Sequence, residues 1–139
     1  MIQFTVREWM NDLVVFCSPD DTVARALELM RRRYIHSLIV SKGEGNPEYG
    51  IVTSTDISDK IVAQERNPAE VRVRDIMTSP LITVKDRITL KECASLMNKN
   101  RIHHLPVVDE NGEICGMISA TDFLVAAEAM GRRPGDKIV

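Results

Sequence analysis

Two stretches of the chain carry apolar residues at helical spacing. Val23, Ala26, Leu27 and Met30 fall at i, i+3, i+4 and i+7, and so do Leu90, Cys93, Ala94 and Met97. Each set makes one apolar stripe and predicts a helix turned towards a core. Thr22 and Thr89 precede the stripes in the position of helix N-caps. Ahead of each helix is a short apolar run, Val14 to Cys17 or Leu81 to Val84, that reads as a strand. Two further strands follow each helix. They are Ser37 to Val40 with Gly50 to Thr53, and His104 to Val108 with Ile114 to Ser119. The second pair is joined by Asp109-Glu110-Asn111-Gly112, whose Asn-Gly is a hairpin turn signal. A longer polar loop, Ser41 to Tyr49, joins the first pair and holds two glycines and Pro47. A second helix is expected over Thr55 to Arg66 and over Ala120 to Met130.

The elements recur because the sequence does. Val6-Arg7-Glu8-Trp9-Met10 returns 67 residues later as Val73-Arg74-Asp75-Ile76-Met77. Thr22, Leu29, Met30, Ile35, His36, Leu38 and Val40 return at the same offset as Thr89, Leu96, Met97, Ile102, His103, Leu105 and Val107. One residue is then lost, and Gly50-Ile51-Val52-Thr53-Ser54-Thr55-Asp56 returns as Gly116-Met117-Ile118-Ser119-Ala120-Thr121-Asp122. Each unit reads β-α-β-β-α, which makes the expected fold class α+β, with helices and strands mixed. One unit alone is too small to bury both its helix stripes and its sheet faces. Two packed as a pseudo-twofold symmetric pair solve this. The expected division is 1–66 for the first repeat and 67–72 for a linker marked by Pro68. The second repeat takes 73–130, and 131–139 is a loose tail.

Composition narrows the function. The chain has 139 residues, 44% apolar and 27% charged, which excludes a disordered, collagen-like or disulfide-stapled chain. A net charge of -2 and 4% aromatic residues argue against duplex binding and base stacking. The longest apolar runs, such as Leu13 to Cys17, are far below the roughly twenty residues of a membrane span. No basic-then-apolar start marks a secretory signal. Cys17, Cys93 and Cys115 are odd in number and form no C-x-x-C pair. They read as free thiols in a reducing, cytoplasmic setting, most simply as small buried hydrophobes.

Thr53-x-x-Asp56 and Ser119-x-x-Asp122 have two readings. One is a capping box, in which the acid folds back on the helix start. The other is a ligand site: the helix N-terminus and hydroxyl meet a phosphate, and the ionised carboxylate, which only accepts, suits a vicinal diol. Gly50 or Gly116 then lets a backbone approach the ligand closely. His36 and His103 occupy equivalent positions, and successive strand residues point to opposite faces. A two-histidine metal site from His103 and His104 is therefore not expected. Arg31-Arg32-Arg33 suits a helix C-terminus, although one of the three, or Arg101, could instead reach a di- or triphosphate. No nucleophile elbow, phosphate loop or dinucleotide fingerprint is present, so no enzymatic activity is expected.

Taken in order, the Val-Arg-x-x-Met segments, the Thr-apolar helix, the Ile-His-x-Leu-x-Val strand and the Gly-apolar-apolar-Thr/Ser-x-x-Asp ending resemble the CBS domain. This is the repeat named after cystathionine β-synthase, present here as a tandem pair over about residues 6–128. The resemblance implies a regulatory, energy-sensing module with no required cofactor. Its ligand would be AMP, ADP, ATP or S-adenosylmethionine, its assembly a homodimer, and its output would pass to an unidentified effector protein. It also implies two clefts. The first joins Val15, Ile35, His36 and Ser37 around adenine to His103, Ser119 and Asp122. The second uses Thr53 and Asp56 with Ile82, Ile102 and His104. Tyr34 stands opposite Arg101 and Ile39 opposite Pro106, so the two clefts are not expected to be equivalent. The alternative is a structural homodimerisation module with vestigial, empty clefts.

Overall fold

A computed structural model describes residues 4–131; of the expected loose tail at 131–139, Gly131 ends a helix and the rest lies outside the described residues. The chain forms two compact units whose boundaries are offset from the sequence repeats. The first unit is residues 14–81, and the second joins the segment up to Leu13 with the chain from Ile82 onwards.

The offset comes from the Val-Arg-x-x-Met segments. The first contains a single helical turn, α1 (Val6–Trp9), and Met10 already has extended backbone. This segment is tied to the second repeat: Val6 N–H donates to Ile88 O (2.9 Å) and Leu90 N–H to Phe4 O (2.9 Å). Its copy, a 3-10 turn at Val73–Asp75, is tied to the first repeat, where Val73 N–H donates to Asp21 O (2.9 Å) and Val23 N–H to Val71 O (2.8 Å). The arginines follow the same rule. Arg7 pairs with Asp86 at 2.6 Å, and Arg74 with Asp20 at 2.6 Å. Val6 and Val73 are both fully buried, each in the core of the unit its segment joins.

In the first unit a three-stranded sheet runs in the order β1 (Phe16–Cys17), β2 (Ser37–Val40), β3 (Gly50–Thr53). β1 is parallel to β2, and β3 is antiparallel to it with Leu38 opposite Val52. Helix α2 (Val23–Arg33) crosses between the parallel strands, since a parallel pair cannot be closed by a tight turn. Thr22 Oγ1 caps it by accepting from Arg25 N–H (3.2 Å), a contact that contributes ~1 kcal/mol. Val23, Ala26 and Met30 bury against Leu38, Val40, Val52 and Ile76, and Leu27 packs at the edge.

The expected helix from Thr55 to Arg66 is not one regular helix. A single α turn, α3 (Ser54–Ile57), passes into a π turn at Ser58–Val62, where Ala63 N–H reaches back five residues to Ser58 O (2.9 Å). The linker is more structured than its polar composition suggests. It forms a 3-10 turn at Pro68–Glu70, and Val71 joins the core.

The second unit repeats the plan with β4 (Val84–Lys85), α4 (Leu90–Asn100), β5 (His104–Val108), β6 (Ile114–Ser119) and α5 (Ala120–Gly131). Its sheet order is β4-β5-β6, with Leu105 opposite Ile118. Leu90, Cys93 and Met97 form the buried stripe of α4. Ala94, placed in that stripe by spacing, is exposed, because the i+4 position lies at the stripe's edge.

The strands ahead of α2 and α4 are shorter than their apolar runs and start later. Val14, Val15 and Leu81 to Thr83 lie outside them, since pairing with the central strand covers only two residues. The β5–β6 connection turns at Gly112 alone (φ +79°), not at an Asn-Gly pair in the left-handed region. There Asp109 Oδ1 accepts from both Asn111 N–H (2.9 Å) and Glu113 N–H (3.0 Å), an Asx-type turn.

All three cysteines are free thiols, with Cys17 and Cys93 buried. Burial pushes the Cys17 thiol up to about 12 and Cys93 up to about 11. At pH 8 an alkylating reagent is therefore expected to modify half-buried Cys115 first, and Cys17 and Cys93 only after unfolding. The unfolded thiols lose their protons near ~8.5 while the folded ones hold theirs. Stability is thus retained below that pH and falls as pH rises towards about 11. Labelling followed by mass spectrometry, and melting temperature against pH, check both. Equal native labelling of all three cysteines would contradict the packing.

Candidate functional site

Each unit places a hydroxyl and a carboxylate where its last strand turns into a helix. In the first unit Thr53 ends β3 and Asp56 lies three residues on. Asp56 Oδ2 accepts from Thr53 N–H (2.9 Å) and Thr53 Oγ1 (3.3 Å), and Asp56 N–H faces Thr53 Oγ1 (3.4 Å). This is a complete capping box. Asp56 is only 8% exposed, and its other oxygen is also taken: Lys60 Nζ donates to Oδ1 (2.9 Å) and to Ile76 O (2.7 Å).

The second unit has the same frame without the cation. Asp122 Oδ2 accepts from Ser119 N–H (2.8 Å) and Ser119 Oγ (3.2 Å). Among the described residues Asp122 Oδ1 has no partner, and the residue four positions on is Ala126, buried in the core. At Asp122 one oxygen holds the cap, and among the described residues the other accepts no hydrogen bond.

The histidines sit beside these helix starts. His36 O accepts from Ser54 N–H (3.0 Å), and His103 O accepts from Ala120 N–H (3.1 Å). Both side chains are exposed. Ser37 lies opposite Thr53 in the sheet, and half-buried His104 lies opposite Ser119. A hollow of about 440 Å³ opens in the second unit between the end of α4 and the start of α5. Met97, Asn98, Arg101, Ile102, His103 and Phe123 are among the residues that line it. Apolar walls with a few polar groups suit a small organic ligand.

The structure brings Ile102, His103, His104, Ser119 and Asp122 together in the second unit, where Ile82 also lies, exposed and outside the core. Val15, Ile35, His36, Ser37, Thr53 and Asp56 belong to the first unit, where Val15 and Ile35 pack against the core. Arg31, Arg32 and Arg33 form the exposed last turn of α2, and Arg32 pairs with Glu28 at 2.9 Å. This fits complementing the helix dipole.

The glycines have a different role from the one expected. A Cβ on Gly116 would stand 2.5 Å from Met10 Sδ and 3.0 Å from Asn11 O. On Gly50 it would stand 2.8 Å from Met77 Sδ and 3.2 Å from Thr78 O. What approaches these glycines closely is the Val-Arg-x-x-Met segment, so they are packing residues. Sequence reasoning also missed Lys60, Asn98 and Phe123. The i, i+4 spacing of Asp56 and Lys60 was a readable signal for the ion pair.

Comparison with known proteins agrees with this architecture. The family model for the CBS domain matches residues 6–63 and 73–129. A mitochondrial CBS domain-containing protein of Arabidopsis thaliana, CBSX3, is 38% identical over 115 residues, covering 81% of this chain and 55% of its own length. The chain spans about half the length of the curated relatives it matches. A hexameric CBS-CP12 protein from bloom-forming cyanobacteria superposes with a TM-score of 0.84 at 32% identity, over 94% of this chain and 76% of that one. The CBS domain pair of protein MJ0100, solved with 5'-methylthioadenosine and S-adenosyl-L-methionine, superposes with a TM-score of 0.80 at 22% identity, over 93% of this chain and 99% of that one. With two repeats of the same plan and a family match over each, the chain belongs to the CBS domain family and carries a tandem pair of its domains.

Proposed function

We propose that this chain is a regulatory, non-catalytic module that binds an adenosine nucleotide or S-adenosylmethionine and passes its occupancy to a partner protein. The observation that carries the reading is Asp122. Its carboxylate is held rigidly by Ser119 through one oxygen and keeps the other available at the start of α5. A vicinal diol donates hydrogen bonds and an ionised carboxylate only accepts them, so the two are matched. The helix N-terminus supplies N–H donors and positive potential for a phosphate, and the exposed His103 ring offers a further N–H donor. The adjoining hollow, with Phe123 and Ile102 in its wall, offers apolar surface. The MJ0100 pair supports the reading at the level of fold, since that pair was solved with 5'-methylthioadenosine and S-adenosyl-L-methionine bound. Isothermal titration calorimetry with AMP, ADP, ATP and S-adenosylmethionine tests it. Micromolar binding of at least one is expected, and no heat and no thermal shift with any of them would refute it.

The output is proposed to run through self-association. Helix α5 exposes Leu124, Val125 and Met130 at 72%, 56% and 55%, a large apolar surface for one helix. The hexameric state of the cyanobacterial relative supports assembly of this kind. Sedimentation is expected to give a dimer that Leu124→Lys shifts to monomer. A monomeric parent chain would remove this part of the proposal.

A further inference from the structure

We infer that Lys60 is a built-in occupant of the Thr53/Asp56 position, so that the chain reads one adenosine ligand, at Asp122, and not two. The inference rests on the reading above and deepens it. Both Asp56 oxygens are committed: Oδ2 to the backbone and hydroxyl of Thr53, and Oδ1 to the Lys60 ammonium. The ammonium is held from a second side by Ile76 O at 2.7 Å, which satisfies two of its three donors within the unit. A ribose diol would have to displace a charge-assisted hydrogen bond from a carboxylate side chain that is only 11% exposed. The displaced ammonium would keep only Ile76 O of its two acceptors.

The local backbone belongs to the same device. Lys60 lies inside the π turn Ser58–Val62, an element that occurs mostly as a single-turn irregularity and often at functional positions. The second unit has regular helix at the corresponding place, with Ala126 four residues after Asp122 and 1% exposed. The methyl of Ala126 cannot pair with Asp122 as Lys60 pairs with Asp56. The two repeats thus keep the same hydroxyl and carboxylate, and a single cation separates a filled position from an open one.

The test is binding stoichiometry by calorimetry and equilibrium dialysis, with AMP, ADP, ATP and S-adenosylmethionine as probes. The parent chain is expected to bind one molecule per chain. Lys60→Met, which keeps the stem and removes the charge, is expected to bind two. Lys60→Met combined with Asp56→Ala should return to one, and Lys60→Arg should stay at one. Circular dichroism and melting temperature establish that each variant is folded, and Lys60→Ala serves if the methionine variant is not. Two molecules per parent chain, or one per chain in a folded Lys60→Met, overturns the inference and leaves the adenosine reading standing. No binding of any probe by any variant overturns both.

Discussion

Asp122→Ala is expected to weaken adenosine-ligand binding by about 10- to 100-fold. A hydrogen bond to a charged group contributes roughly 1.5–3 kcal/mol, and each ~1.4 kcal/mol is about tenfold in affinity. The ligand-free protein should lose much less. Asp122 Oδ2 holds only the Ser119 amide and hydroxyl, so the cost is that of a cap, about 0.5–2 kcal/mol. The two effects separate in one thermal-shift experiment. The parent chain should melt at a higher temperature with ligand, since ligand at a hundredfold its Kd adds ~2.7 kcal/mol. The variant should start slightly lower and gain little. Asp122→Asn keeps an acceptor for the cap and lacks the charge, so it should fall between the two. Parent affinity in a folded Asp122→Ala would mean that the carboxylate serves the helix alone.

Gly116→Ala is expected to destabilise the second unit by about 1–3 kcal/mol, the usual cost of overpacking. The added methyl would meet Met10 Sδ at 2.5 Å and Asn11 O at 3.0 Å. Methionine can swing away, but Asn11 cannot: its N–H and O pair with Met117 at 2.9 and 2.8 Å and fix that backbone. Gly50→Ala should follow the same direction with a smaller effect, because its nearest contacts are 2.8 and 3.2 Å. Denaturant unfolding measures both. A double-mutant cycle of Gly116→Ala with Met10→Ala should show positive coupling, the smaller side chain relieving part of the strain. Unchanged stability in Gly116→Ala would contradict the docking of the leading segment on β6.

Much of the fold was legible because period and repetition agreed. The stripes on α2 and α4, their threonine caps and the bounds of β2, β3, β5 and β6 all followed from spacing and turn chemistry. The π turn at Ser58–Val62 was not legible, since its residues have no composition that distinguishes a five-residue turn from an α turn. The candidate site was half legible. The Thr/Ser-x-x-Asp pairs were found twice, and the sequence recommended them equally. Their difference lies in Lys60, a surface-type residue that gains meaning only when its ammonium is seen on Asp56 and Ile76 O.

By itself the sequence determined the plan of one unit, its duplication and the residues offered at each helix start. These depend on local periodicity and on short-range capping, which a linear pattern encodes. Tertiary structure decided which segment completes which unit and which carboxylate remains open. Val6 and Val73 open the same Val-Arg-x-x-Met segment, yet each is buried against the opposite repeat. Likewise Asp56 and Asp122 sit in the same motif, yet among the described residues only Asp56 meets a cation. Both outcomes rest on contacts between residues distant in the chain or on the path of an irregular turn, and a linear pattern of apolar and polar positions does not encode either.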